Sequence, residues 1–156
     1  MRLKKQLIKE DSFLMLKNSL FLCCIFLVFF KSYSQDLQKH RWKNRVVLIF
    51  SDSKDDEKLQ NQINILSKEK EGLAEMKLLI YRFSQGFFTT NFNTIWFSST
   101  LKIRKYKKKS EDFKIVLIGL DGGIKMKQTT LLSAEKLFAI IDGMPMRRSE
   151  LRNNKN

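Results

Sequence analysis

The stretch Val46-Val47-Leu48-Ile49-Phe50 contains no polar side chain, which is typical of a strand buried on both faces of a sheet. Two further apolar runs, within residues 76–83 and residues 114–119, have the same character. The sequence therefore predicts three buried strands, and the segments between them must return the chain to one sheet.

Helical spacing separates the first two strands. Leu59, Ile63 and Leu66 recur as on one face of a helix, and Ser53, which precedes a run of acidic residues, is a suitable N-cap. Gly72 predicts the end of this helix. Two buried strands joined through a helix predict a parallel pair.

The second half of the chain predicts a hairpin and a last helix. The turn Asp121-Gly122-Gly123 leads into a fourth, alternating strand over residues 124–127, because glycine takes the positive φ of such turns. Ser133 is expected to cap a helix that ends at residues 144–148 and turns its apolar side chains to the sheet, namely Leu137, Phe138, Ile140 and Ile141. Residues 84–98, rich in aromatic residues, predict an irregular connection, and residues 99–106 predict a short helix or a strand.

The resulting order, β-α-β-α-β-β-α, is that of the thioredoxin fold. We predict an α/β domain over residues 45–146, with a mixed four-stranded sheet and flanking helices. A polar segment, residues 35–44, precedes it, and a basic tail, residues 147–156, follows it. Trp42 of the polar segment is expected to fill a gap in the core, with a stacking surface as the alternative.

The amino-terminal region predicts export. Residues 20–30 form an uninterrupted apolar run that is too short to span a bilayer but has the length of a signal-peptide core. Small residues in Ser32-Tyr33-Ser34 place cleavage after Ser34, and an uncleaved amphipathic anchor is the alternative. Translation could start at Met1 or at Met15. The predicted product is periplasmic or secreted.

Removal of residues 1–34 would change the chemistry that is open to the protein. The 156-residue chain has a net charge of +14, and cleavage takes away six of its 30 basic and two of its 16 acidic residues, which leaves +10. Both cysteines, Cys23 and Cys24, would also be lost. The remaining chain could form no disulfide, thiolate nucleophile or cysteine-ligated zinc site.

The loop after the first strand is the candidate site for chemistry without a thiol, through Ser51 and Asp52. The single histidine, His40, lies in the polar segment, so a Ser-His arrangement is not expected. We interpret the neighbouring polar residues as helix capping, since a calcium loop would need alternating carboxylates and a glycine. No metal site and no cofactor are predicted.

A basic stretch is the candidate binding surface. It is expected on a helix and contains six cations, namely Lys102, Arg104, Lys105, Lys107, Lys108 and Lys109. Such a stretch is either a solvated face or a surface that attracts polyanions. The predicted partners are an anionic envelope polysaccharide, a lipid surface or an envelope protein, whereas nucleic acid is not expected because the protein is predicted to be exported.

Four segments carry a family resemblance, namely residues 41–45 (Arg-Trp-Lys-Asn-Arg), residues 72–75 (Gly-Leu-Ala-Glu), residues 116–125 (Val-Leu-Ile-Gly-Leu-Asp-Gly-Gly-Ile-Lys) and residues 141–148 (Ile-Asp-Gly-Met-Pro-Met-Arg-Arg). Together they resemble an uncharacterised family of exported bacterial proteins, domain of unknown function 4174. The same domain is similar to one in animal extracellular matrix and sushi-repeat proteins. The resemblance implies a thioredoxin- or peroxiredoxin-like fold and an extracytoplasmic setting, and no established activity.

The chain departs from active thioredoxins at their redox site. Residues 51–55, between the first strand and the first helix, read Ser-Asp-Ser-Lys-Asp where those proteins carry two cysteines, and residues 110–112 replace their cis-proline. We therefore expect a redox-inactive binding domain. The alternative is an enzyme with non-thiol chemistry at residues 51–55.

Overall fold

Two parallel strands form the centre of a six-stranded sheet in the computed structural model, which describes residues 37–102 and 105–153. Strands β1 (Arg45–Ser51) and β2 (Leu78–Ser84) pair in register from Arg45–Leu78 to Ser51–Ser84, and helices α1 (Glu57–Ser67) and α2 (Lys70–Glu75) connect them. This confirms the parallel pair predicted from the apolar runs. The predicted leader, residues 1–34, and Arg104 lie outside the described residues.

The remaining strands complete the sheet in the order β4-β3-β2-β1-β5-β6. They are β3 (Phe87–Thr90), β4 (Phe97–Ser98), β5 (Phe113–Ile118) and β6 (Ile124–Gln128). β5 runs antiparallel to β1, and the predicted hairpin to β6 is present, with Gly122 at a φ of 77°. The fold class is as predicted, but the strand count is not. β3 and β4 build an antiparallel arm from the segment that was expected to be irregular.

Three α-helices of the described chain pack on the same face of the sheet. Side chains of α1, α2 and α3 (Ala134–Asp142) bury this face together with alternate residues of the central strands, including Val47, Ile49, Ile80 and Ile115. Ser133 caps α3 as predicted, by accepting a hydrogen bond from the Lys136 backbone N–H.

The opposite face is covered mainly by aromatic packing, and Leu37 of the short 3-10 helix Leu37–His40 also packs against it. Phe50 stacks on Phe83 at 5.1 Å between ring centroids and on Tyr106 at 6.2 Å. Tyr81 and Phe88 extend the same cluster toward the arm. Because Tyr106 is buried in this layer, the chain before β5 lies against the sheet.

The predicted basic helix is absent from the part of this stretch that the structure describes. Residues 101, 102 and 105–112 form bends and turns, with a single helical residue of the 3-10 type at Lys105. The physical reason is the insertion of the Tyr106 ring into the aromatic layer, which ties the backbone to the sheet. The alternative, a strand through Leu101 and Ile103, is not seen at Leu101, which lies in a bend, and Ile103 lies outside the described residues.

Three expectations for helix ends and termini were wrong. Gly72 lies inside α2 rather than at a helix end, and a Cβ there would meet the Phe138 ring at 2.8 Å. Its lack of a side chain allows α2 and α3 to approach closely. The basic tail includes a helix, α4 (Pro145–Asn153), because Pro145 occupies its first position, where no backbone N–H is needed. Trp42 is not a core residue, since 59% of its surface is exposed.

Candidate functional site

The loop after β1 is built from backbone-directed hydrogen bonds. Ser51 is buried, and its hydroxyl donates to the Ser53 carbonyl at 2.8 Å and accepts from the Ser53 N–H at 3.3 Å. Asp56, rather than the predicted Ser53, caps α1 by accepting from the Leu59 N–H at 3.0 Å. Ser53 instead accepts from the Asp55 N–H. The polar residues of this loop thus shape the turn into the helix.

Among the described residues, no general base is hydrogen-bonded to the Ser51 hydroxyl. His40 Nε2 lies 2.8 Å from the Tyr81 hydroxyl, in the aromatic layer. Ser51 follows the alternation of Val47 and Ile49, so its side chain belongs to the helix-covered face. Burial raises the pKa of Tyr81 above its ordinary value, which makes this hydroxyl a poorer proton donor. The structure therefore separates the two residues that a Ser-His mechanism would need.

The two candidate sites from the sequence meet at one edge of the sheet. Asp52 forms an ion pair with Lys107 at 2.5 Å, and Lys107 is only 11% exposed. The Glu111 carboxylate accepts from the Lys108 backbone N–H at 2.7 Å and pairs with Lys114, and these contacts hold the pKa of Glu111 below its usual value. The basic stretch is thereby fixed against the β1–α1 loop.

Four other described cations of this stretch face solvent. Lys107 is neutralised by its ion pair and does not contribute as a free charge. The exposed members among the described residues are Lys102, Lys105, Lys108 and Lys109. We call these four residues the basic patch.

A buried arginine beside this edge was missed at the level of sequence. Arg82 of β2 is 7% exposed, lies 5.6 Å from the Trp96 ring centre and donates to the Asn93 carbonyl. The Thr89 hydroxyl donates to the same carbonyl at 3.1 Å. The available signal was a single charge within an otherwise apolar strand, residues 78–83.

This arginine has no counter-charge among the residues that the structure describes. Its Nε has no hydrogen-bond partner there, and neither does the hydroxyl of Ser84, two residues along the same face of β2. Desolvation lowers the pKa of Arg82 from its ordinary value, although a guanidinium still carries its charge at neutral pH. A buried cation without a carboxylate partner is costly.

Lys54 adds a second cation to the same place. Its Nζ lies 4.4 Å from the Phe87 ring centre and 5.2 Å from that of Trp96, and it forms no ion pair with a described residue. Arg82 and Lys54 thus lie against the aromatic rings of the β3–β4 arm. We call Lys54, Arg82, Phe87 and Trp96 the arm site.

The edge carries few groups for other chemistry. Among residues 37–102 and 105–153, no cluster of three metal-binding side chains occurs. None of the helices in this part of the chain is long and apolar enough to cross a membrane. The guanidinium of Arg82 and the ammonium of Lys54, which lie beside aromatic rings, are groups that can bind anions.

Comparison with known proteins identifies the domain but no activity. No curated protein matches the chain. A solved structure, reduced 2-Cys peroxiredoxin of Plasmodium vivax, superimposes with a TM-score of 0.52 at 13% identity and covers 72% of each chain. This similarity confirms the predicted thioredoxin-like fold. A family model, Domain of unknown function (DUF4174), matches residues 36–150. The chain belongs to the DUF4174 family.

Proposed function

We propose that this protein is an exported, redox-inactive binding module that recognises an acidic polysaccharide of the cell envelope. The ligand surface is the sheet edge that carries the basic patch and the arm site. The observation that carries this proposal is the pair of cations in the arm site, Arg82 and Lys54, which have no carboxylate partner among the described residues.

The redox part of the proposal rests on the residues that follow β1. Thiol–disulfide exchange and peroxide reduction both require a thiolate, and residues 35–156 contain no cysteine. In place of a thiol, the loop carries Ser51, whose hydroxyl is hydrogen-bonded to the backbone of Ser53. We expect the protein cleaved after Ser34 neither to reduce insulin nor to consume peroxide above the buffer rate. Turnover that persists after chromatographic repurification would contradict this expectation.

The choice of an acidic polysaccharide follows from the mixture of groups at the edge. Cations supply the attraction, and the Phe87 ring, which is 39% exposed, lies beside the Lys54 ammonium. A sugar acid presents a carboxylate for the cations and the carbon face of its ring for the aromatic side chains. Lipid head groups and acidic proteins offer the same charge and are the competing ligands that the experiment must separate.

The alternative, an enzyme at residues 51–55, has no support from the arrangement of these residues. Asp52 is held by Lys107, and the Ser51 hydroxyl has no base beside it. Both residues hold the loop and the basic stretch in place.

Retention on immobilised polyanions tests the proposal. In the test variant, glutamine replaces the four lysines of the basic patch, and Lys107 stays because it neutralises Asp52. The control variant loses four exposed lysines from elsewhere on the domain, Lys39, Lys58, Lys68 and Lys127. Both variants have the same net charge, so only the location of the charge differs.

We expect the test variant to elute from a heparin column at a clearly lower salt concentration than the control variant. Both should unfold at the temperature of the parent, because exposed charges contribute little stability. Equal elution of the two variants would show that net charge alone causes retention. Stronger binding to vesicles that contain an anionic lipid, or to polyglutamate, than to alginate would assign the surface to a different ligand and contradict the polysaccharide proposal.

A further inference from the structure

The segments that carry the family resemblance meet at the opposite edge of the sheet. The Trp42 backbone N–H donates to the Leu120 carbonyl at 2.7 Å, which joins the segment before β1 to the end of β5. Arg45 Nη1 donates to the Met76 carbonyl at 2.9 Å, and its Nη2 pairs with Glu150 of α4 at 3.1 Å. Nothing in the proposed polysaccharide site uses these residues.

A second arginine fixes helix α4 at this edge. Arg147 is 4% exposed and pairs with Glu75 at 2.5 Å and with Asp142 at 3.1 Å, so it connects α4 to the ends of α2 and α3. Each of the four resembling segments contributes to these contacts. The elements around this edge are therefore held in a fixed arrangement.

The arrangement encloses a cleft of about 290 Å³. Its wall is mainly apolar and comes from Trp42, Leu120, Met144, Pro145 and Met146. Arg45 also lines the cleft, and its buried Nε has no hydrogen-bond partner in the part of the chain that the structure describes. An apolar pocket with a few polar groups is the usual form of a ligand site, and this volume suits one large side chain and the backbone beside it.

Both the backbone angle and the exposure of Trp42 at the cleft are unusual for a tryptophan. It has a φ of 65°, in the left-handed region that non-glycine residues avoid, and its large apolar ring is more exposed than buried. Strained backbone at an exposed aromatic residue is found where the position serves binding. Packing does not explain Trp42, because the ring lies outside both core clusters.

The charge at the mouth of the cleft is positive. The Arg41 guanidinium lies 5.3 Å from the Trp42 ring centre and beside Gly122, and it forms no ion pair with a described residue. Lys125, by contrast, is neutralised by Asp121 at 2.6 Å. An anionic group next to an apolar group is therefore the complement of this surface.

We propose that the cleft binds a peptide segment of a partner protein in which a large apolar side chain is followed by an acidic residue. The apolar side chain packs between Trp42 and the two methionines, whose flexible thioethers adapt to irregular shapes. A peptide carbonyl accepts from Arg45 Nε, and the carboxylate pairs with Arg41. Such a peptide supplies all three groups within a few residues.

Three acetylated and amidated peptides test this inference by nuclear magnetic resonance. The probe has the sequence Ala-Phe-Glu-Ala, and the two comparison peptides replace its Glu by Lys or its Phe by Ser. The signals observed are the indole N–H of Trp42 and the methyl groups of Met144 and Met146. We expect saturable shifts with the probe, and affinity at least fivefold weaker for either comparison peptide.

Two variants separate binding from folding. Trp42→Gly removes the ring and relieves the positive φ, so we expect at least tenfold weaker binding of the probe with little change in melting temperature. The control, Ile95→Ala, removes an exposed apolar side chain of the arm and should leave the affinity unchanged.

Three results would overturn the inference. The first is the absence of saturable shifts up to about 10 mM probe, roughly tenfold above the dissociation constant of about 1 mM that is typical of weak complexes. The second is equal affinity for Trp42→Gly and the parent, and the third is saturable binding of glucose or maltose at these signals without binding of the probe. The variant lacking the basic patch should bind the probe normally, so failure of the polysaccharide proposal would not affect this result.

Discussion

The same substitution should affect the stability of the domain differently at two buried arginines. Arg82 and Arg147 are 7% and 4% exposed, and methionine in either position retains most of the apolar stem. Arg147 has carboxylate partners in Glu75 and Asp142, whereas Arg82 has none among the described residues. We therefore expect Arg147→Met to destabilise the domain and Arg82→Met to leave its stability nearly unchanged.

The magnitude for Arg82 follows from opposing contributions. Loss of its hydrogen bond to the Asn93 carbonyl costs about 1.5–3 kcal/mol, and loss of the contact with the Trp96 ring costs about 0.5–2 kcal/mol. Removal of the unpartnered Nε returns about 1–3 kcal/mol, and the buried charge disappears with it. The Asn93 carbonyl keeps the Thr89 hydroxyl as a donor. At their midpoints these losses exceed the return by about 1.5 kcal/mol, and relief of the desolvation of the buried charge offsets this excess, so the net change in the free energy of unfolding should be close to zero.

For Arg147 the contributions do not cancel. Its replacement leaves carboxylates without their cation, and a broken buried ion pair costs about 3–5 kcal/mol. Glu75 and Asp142 are 66% and 47% exposed and regain water, so the expected loss is smaller, about 2–3 kcal/mol.

Urea unfolding followed by circular dichroism measures both changes in stability. Tryptophan fluorescence is not a suitable signal, because the loss of Arg82 beside Trp96 would change it directly. Affinity for an acidic oligosaccharide, measured on the same samples, should fall for Arg82→Met and stay at the parent value for Arg147→Met. A loss of stability in Arg82→Met as large as that in Arg147→Met would refute the assignment of Arg82 as an uncompensated cation.

Two further predictions concern the support of the fold. Gln62 is buried, accepts from the Leu132 N–H at 2.7 Å and donates to the Leu132 carbonyl at 2.8 Å. Gln62→Leu should therefore lower the free energy of unfolding by about 2–4 kcal/mol in a urea titration. An unchanged urea midpoint would contradict this prediction. Lys125 and the Gly123 backbone N–H hold the pKa of Asp121 below its usual value. The stabilisation from this carboxylate is therefore present above its unfolded pKa of about 3.9 and is lost as the pH falls through the lower folded pKa. Asp121→Asn should flatten the acid side of the plot of stability against pH, and identical plots for the variant and the parent would contradict this.

The elements that the sequence predicted well are those that follow from local pattern. The apolar run of β1 and the spacing of Leu59, Ile63 and Leu66 depend only on neighbouring residues, and the cap at Ser133 is similarly local. These features were sufficient to predict the parallel pair, the hairpin and the thioredoxin-like fold.

The elements that it missed depend on contacts between distant parts of the chain. The β3–β4 arm has no clear apolar period, and Arg82 and Thr89 attach its loop to the sheet through the Asn93 carbonyl. The backbone path of the basic stretch is set by the stacking of Tyr106 on Phe50. The spacing of apolar residues in the sequence does not predict this contact. Likewise, α4 depends on Arg147 reaching carboxylates from two other helices.

The candidate site was predicted in its parts and not in its assembly. Sequence indicated the basic stretch and the loop with Ser51 and Asp52 as separate candidates, and the structure joins them through the Asp52–Lys107 ion pair. Arg82 was hidden because a single charge in a strand is compatible with burial, exposure or pairing. Only the observed surroundings distinguish among these possibilities.

The salt dependence of binding tests the central claim most directly. Affinity for a fluorescent acidic oligosaccharide is measured between low and high salt for the parent, the variant without the basic patch and the control variant of equal net charge. Each ionic contact contributes roughly one released counterion to the slope of log K against log salt, as it does for nucleic acids. We predict a smaller slope and weaker binding for the patch variant alone. Identical slopes for the two variants would contradict the assignment of this sheet edge as the binding surface.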